Sequence, residues 1–183
     1  MRISIFAASC ASLFFASAAC AGDAPSMENA VKGFYAAYST FHPSDGIPDA
    51  AGRARYMPYI SDRLERLLAE GAAAEDNFNK ANKDSPPLLE GDIFTSNFEG
   101  ATSFAPGMCK ASGRTGRCTV NLVYDDVRDN PKDKPVHWSD TVDLVETANG
   151  WRVDDIEYGA SWAFANKGTL SATLTHAIAD SSE

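Results

Sequence analysis

The stretch from Val136 to Tyr158 reads VHWSDTVDLVETANGWRVDDIEY, and its alternation decides the architecture. Val136, Trp138, Val142 and Leu144 share one parity with polar residues between them, the period-two pattern of a half-buried strand. Asn149-Gly150 then supplies the pair that a tight antiparallel hairpin favours, so strands over Val136–Thr147 and Trp151–Tyr158 are expected to be joined there. Upstream, the same signal predicts a strand over Arg117–Asp125, another over Ala101–Cys109, and a short or irregular one over Asp92–Phe98. Parity changes inside the last strand, because Trp151 and Val153 hold one phase and Ile156 and Tyr158 the other. A bulge at Asp154 and Asp155 is the expected cause.

Ahead of Pro86 and Pro87 the apolar period is close to 3.6. Ser26 is placed to cap a helix whose Val31, Phe34, Tyr35 and Tyr38 fall on one face, ending near Thr40. Two prolines and two glycines between His42 and Gly52 predict a loop. A second helix is expected from about Ser61, with Leu64, Leu67 and Leu68 on one side, running to about Lys83 before the prolines stop it. A last helix from about Thr169 carries Leu170, Leu174 and Ile178. Helices followed by strands, without strand–helix alternation, predict an α+β fold: N-terminal helices on a curved antiparallel sheet, plus a C-terminal helix.

The chain has 183 residues with 16 Lys and Arg against 25 Asp and Glu, a net charge of −9, which fits one domain and argues against a nucleic-acid partner. Arg2, the apolar run Ile3–Phe15 and the small residues Ala16–Ala21 read as an export signal over residues 1–21, leaving 22–183 as a single domain. Three processing readings stand: cleavage after Ala21, cleavage after Ala18, or lipidation of Cys20 within Ser17-Ala18-Ala19-Cys20, where Ser17 occupies the usual place of Leu. The first and third leave Cys109 and Cys118 as the only free pair, which suits an oxidising compartment. Loss of residues 1–21 removes Arg2 and no acid, taking the net charge from −9 to −10. Cys109 and Cys118 flank a polar, glycine-containing stretch between two expected strands, and a disulfide across that hairpin is predicted.

Three groups of residues, Phe34-Tyr35-x-x-Tyr38, Tyr59-Ile60-Ser61-x-x-Leu64 and Gly150-Trp151-x-Val153-x-Asp155-Ile156, resemble an uncharacterised group of exported bacterial proteins and lipoproteins in the NTF2-like (cystatin-like) α+β superfamily. The resemblance covers about residues 26–160 and implies a cone-shaped sheet wrapped around N-terminal helices, with an internal pocket. It implies no particular reaction, since such domains range from isomerases to binding modules. The disulfide hairpin and the C-terminal helix depart from the commoner pattern.

Asp140 is the most unusual residue, a carboxylate on the apolar parity of its strand. Three roles are open to it: a structural one, through a bulge that turns it outward or an ion pair with Arg117 or Arg152; a ligand anchor; or a general base for an isomerase or lyase. Tyr35, Tyr38, Tyr124 and Trp138, with Asp140 and Asp155, form the candidate pocket, against the plainer reading of core aromatics and a solvated rim carboxylate. No spacing of His42, His137 or His176 suits a metal, the run Asp125, Asp126, Asp129, Asp133 fails the calcium-loop pattern at Pro131 and His137, and no cofactor motif is present. No catalytic set emerges. The sequence therefore points to a periplasmic or secreted, non-enzymatic binding protein for a small apolar or amphipathic ligand or a peptide. The alternative is an inhibitor or immunity protein against a secreted toxin or envelope hydrolase, whose basic surface the acidic chain would attract. Membrane attachment enters only through a lipidated Cys20.

Overall fold

The computed structural model describes residues 26–40, 46–125 and 134–181. The segment 1–21 with Cys20, the loop residue His42, and Asp126, Asp129 and Asp133 lie outside them. Helix α1 (Met27–Thr40) starts where Ser26 Oγ accepts the Asn29 amide at 3.2 Å, and buries Val31, Phe34, Tyr35 and Tyr38 along one face. Helix α3 (Asp62–Ala81) is capped by Ser61, which accepts from Leu64 N at 3.1 Å, and buries Leu64 and Leu68. Helix α4 (Leu170–Asp180) is capped by Thr169 and packs Leu170 and Leu174 inward. A short helix that the sequence reading misses, α2 (Ala50–Tyr56), begins inside the expected loop; Asp49 accepts from Gly52 N at 2.7 Å and so caps a turn that proline and glycine content alone conceals.

Four strands, β1 (Ser103–Ser112), β2 (Thr115–Tyr124), β3 (Val136–Thr147) and β4 (Gly150–Glu157), form one antiparallel sheet in the order of the chain. The β2–β3 ladder runs without interruption from Thr115 opposite Val145 to Tyr124 opposite Val136. Two bulges bend the outer strands. One lies between Pro106 and Cys109 in β1; the other leaves Asp154 unopposed, since Asp143 faces Asp155 and Leu144 faces Val153. The parity change in the sequence thus marks a real bulge. By contrast, Asp92–Phe98 belongs to no strand. The cause is chemical: its side chains offer the backbone local hydrogen bonds that displace a ladder.

One face of the sheet, with Val120, Leu122, Val142, Leu144, Val153 and Ile156, is buried in the core that α1 shares. The opposite face is polar and solvated, as antiparallel sheets allow. The free edge of β4 is covered at both ends: Ser61 N donates to Val153 O and Val153 N to Tyr59 O, each at 2.8 Å, and Tyr158 N donates to Gly168 O at 3.0 Å. At the other edge, Pro106, Lys110 and the β1 bulge discourage strand addition. Among the described residues no helix is long and apolar enough to cross a membrane.

Cys109 and Cys118 stand opposite each other on β1 and β2 and are joined by a disulfide. Closing so short a loop restricts the unfolded chain by on the order of 2–3 kcal/mol. The Cys109→Ser, Cys118→Ser double variant is therefore expected to fold to the same sheet but to unfold at lower denaturant, with a stability loss of that size. Equal unfolding midpoints for the two chains would show the crosslink to be energetically idle.

Candidate functional site

The segment from Gly91 to Ala101 enters the interior without regular structure. Asp92 is 2% exposed, Phe94, Thr95 and Ser96 are 0% exposed, and Asn97 is 7% exposed, so every polar group here needs an internal partner. Some partners are local. Asp92 Oδ1 accepts from Phe94 N at 2.5 Å, Thr95 Oγ1 from Asn97 N at 3.2 Å, and Gly100 O from Asn97 Nδ2 at 2.8 Å. Others come from distant elements: Asn166 Nδ2 donates to both Asp92 O and Thr95 O at 2.8 Å, and Tyr158 Oη donates to Ile93 O at 2.5 Å. Gly100 has φ +83°, and a Cβ there would meet Tyr38 Oη at 2.5 Å and Asp92 Oδ2 at 2.6 Å, so this position excludes a side chain twice over.

Asp140 points into this segment. Its Oδ1 accepts from the Ser96 hydroxyl and, at 2.9 Å, from Gly159 N; its Oδ2 accepts from Ser96 N at 2.8 Å and Trp138 Nε1 at 3.1 Å. Four donors fill the acceptor capacity of a carboxylate, two on each oxygen. Neither sequence expectation for an ordinary structural role holds. No bulge turns Asp140 outward, because the ladder on the β2 side is continuous, and neither arginine reaches it. Arg117 is engaged by Asp143 at 2.8 Å and by Glu157, while Arg152 donates to Trp151 O at 2.9 Å. A buried carboxylate that needs no cation is satisfied here by N–H and O–H dipoles.

Asp92 is the second interior acid, and the sequence reading passes over it. Tyr38 Oη donates to Asp92 Oδ2 and accepts from Ala101 N at 2.8 Å, which ties α1 to both ends of the segment. Burial raises the Asp92 carboxyl to about 7, against the hydrogen bonds from Tyr38, Phe94 and Thr95 that act in the other direction. The neighbouring phenols of Tyr35, Tyr38, Tyr56 and Tyr158 are pushed above their ordinary value, first by burial and then in part by these carboxylates. The signal available in the sequence is the run Asp92-Ile93-Phe94-Thr95-Ser96-Asn97 between Gly91 and Gly100, rich in residues that hydrogen-bond their own backbone.

Of the six residues singled out as a pocket, the structure brings four together in the interior: Tyr35 and Tyr38, 0% and 1% exposed, with Trp138 and Asp140. Tyr35 lies on Phe104 with ring centroids 5.5 Å apart and meets Phe34 edge-on, and Trp138 meets Trp162 edge-on at 5.7 Å. Tyr124 is half-buried at the margin of the core. Asp155 sits elsewhere: it accepts from the Ser171 amide at 2.9 Å and from the Ser171 hydroxyl, at the start of α4. Beside it, Asp154 accepts from Ser61 Oγ at 2.5 Å and pairs with Arg63 at 3.0 Å, at the start of α3. The bulge therefore aims two adjacent carboxylates at two helix N-termini, where negative charge is favoured, rather than leaving them at a solvated rim.

A general base needs an oxygen lone pair open to a substrate proton. Asp140 has all its pairs occupied, and Asp92 is enclosed by Tyr38 and its own segment. The interior acids fasten the 91–101 segment between α1, β3 and the 159–168 loop. An open concavity lies on the other face of the sheet, across the disulfide hairpin. It has a volume of about 490 Å³ and is lined by Met108, Lys110, Ser112, Thr115, Arg117, Thr119 and Thr141, among others. Among the described residues, no group of three or more His, Cys, Asp or Glu is arranged to hold a metal ion. A comparison with protein-family models finds none that matches the chain, and a comparison with curated proteins finds no match.

The two acids are separable by experiment. For Asp92 the folded value lies above the unfolded one. Below about pH 4 both states hold the proton; between about 4 and 7 only the folded state does, so rising pH withdraws stability across that window, by on the order of 4 kcal/mol in all. Asp92→Asn is expected to lose this slope, so the stability difference between the two chains changes between pH 4 and 7 and is constant above it. Parallel curves would refute the assignment. Asp140→Asn turns an amide NH₂ toward two existing donors and is expected to cost about 3 kcal/mol at neutral pH, measured by denaturant unfolding; a loss under 1 kcal/mol would contradict the four-donor geometry.

Proposed function

We propose that this protein is an exported, non-enzymatic binding protein whose ligand is small and apolar or amphipathic, and that the ligand lies on the outer face of the hairpin rather than within the sheet's helical side. The observation that carries this reading is the division of labour between the two faces. The interior carboxylates are consumed by the protein's own donors, whereas the groove across β1, β2 and β3 is of ligand size and has both apolar and polar lining. Export, to the periplasm or beyond, is supported by the signal-like start of the chain, and attachment to a membrane by the Cys20 reading alone. Kinship with the NTF2-like superfamily is part of the same proposal; helices ahead of a four-stranded antiparallel sheet support it.

Native mass spectrometry of the protein taken from the periplasm of a producing cell tests the reading. A retained small species is expected, and it should be lost in Thr119→Trp, which fills the groove, but kept in Phe164→Ser. Retention by both variants, or by neither chain, would overturn the placement of the site.

One observation favours a protein partner as the second reading. Phe164 is 90% exposed and Phe98 45% exposed, on two loops linked by the hydrogen bond from Asn166 N to Ser96 O at 2.8 Å. Exposed aromatics of this kind anchor protein interfaces. A stoichiometric partner that is captured by the wild type and lost by Phe164→Ser would establish the inhibitor reading in place of the first.

A further inference from the structure

The charge of the disulfide hairpin is opposite to that of the chain. The eight residues between Cys109 and Cys118 hold Lys110, Arg114 and Arg117 and no acid, although the whole chain has 25 Asp and Glu against 16 Lys and Arg. Arg117 is neutralised by Asp143 and Glu157. The other two are not: Arg114 donates to a backbone carbonyl, Glu146 O, at 3.0 Å, and among the described residues neither it nor Lys110 forms an ion pair. Lys110 faces Arg117 across the β1–β2 ladder, on the wall of the groove.

The rest of the lining suits a chain of methylenes. Met108, set in the β1 bulge, is 69% exposed, and Thr119 and Thr141 stand side by side on β2 and β3, each offering a methyl group as well as a hydroxyl. At the hairpin end the wall changes to Ser112 and Thr115, beside Lys110. Apolar surface thus leads to a cation flanked by hydroxyls. The disulfide ties β1 to β2 from the opposite, core-facing side of the sheet, where Cys118 is buried, so the two strands that carry most of the groove are fixed to each other before any ligand arrives and lose little freedom on binding.

We propose that this groove binds a single-chain anionic amphiphile, its acidic head at Lys110 near the hairpin tip and its chain along Met108, Thr119 and Thr141. The inference rests on the binding-protein reading and adds to it the ligand's charge and shape. Charge-assisted hydrogen bonds from an ammonium are stronger than neutral ones and are weakened by salt where they are exposed. A neutral chain in the same groove has neither advantage.

Calorimetric titration of the oxidised protein tests this, with dodecanoate, decyl maltoside and acetate below any micellar concentration. Dodecanoate is expected to bind at least about tenfold more tightly than decyl maltoside, to weaken as salt is raised, and to lose about tenfold in Lys110→Glu. Acetate alone should give no heat. Lys110→Gln, a milder change at an exposed position, should lose less than Lys110→Glu, and circular dichroism should show both variants folded. Equal binding of dodecanoate and decyl maltoside, unaffected by Lys110→Glu but abolished by Thr119→Trp, would overturn the anionic ligand while leaving the groove as a binding site. If no amphiphile binds, both proposals fall. Acetate binding as well as dodecanoate would show an anion site without the apolar part and would overturn the amphiphile assignment.

Discussion

The structure depends on the enclosure of two carboxylates without a compensating cation. Asp92 and Asp140 are 2% and 1% exposed, and each is met by hydroxyl and amide donors from parts of the chain far apart in sequence. Enclosing charge or its protonated equivalent is costly unless every acceptor site is used. The cost is offset here because the same bonds organise an otherwise irregular segment. Ser96 gives both its amide and its hydroxyl to Asp140, and its hydroxyl also accepts from Ala160 N at 3.1 Å. β3, the 91–101 segment and the 159–168 loop are therefore mutually dependent, and Tyr38 extends the linkage to α1.

That dependence directs the search for function away from the acids. A site poised for proton transfer keeps a lone pair exposed and a route for substrate; this interior has donors on each oxygen of Asp140 and aromatic rings around Asp92. The hairpin face differs in being open, cationic at one end and lined by both apolar and hydroxyl-bearing side chains. Its shape is held by the crosslink between β1 and β2 and by the uninterrupted β2–β3 ladder, whose other face packs in the core.

The sequence makes most of the secondary structure legible because its signals are local. Alternation gives β3 over the residues observed, Asn149-Gly150 gives the β3–β4 hairpin, and the phase change at Asp154 gives the bulge. What it conceals are interactions set by distant contacts. Asp140 is recognisable as an anomaly, yet its partners are two amides, a hydroxyl and an indole that only the fold assembles, so charge pairing with arginine is the natural but mistaken expectation. Asp92 hides in a stretch that reads as a short strand, because aromatic and β-branched residues there fill the core instead of a ladder. Asp154 and Asp155 look solvated until the bulge brings Ser61, Arg63 and Ser171 to them. The groove is invisible for another reason: it is made from the outward parity of three strands, where polar residues are ordinary.

Amide hydrogen exchange of Phe94, Ser96, Ala101 and Gly159, read residue by residue under native conditions, tests the central claim most directly. If the enclosed acids make the 91–101 segment part of the core, these amides exchange only through global unfolding, with the same free energy as the centres of β2 and β3. Exchange at a much lower free energy while β2 and β3 stay protected would mean that the segment opens as a lid, and the interior acids would then regain their place as a candidate reaction centre.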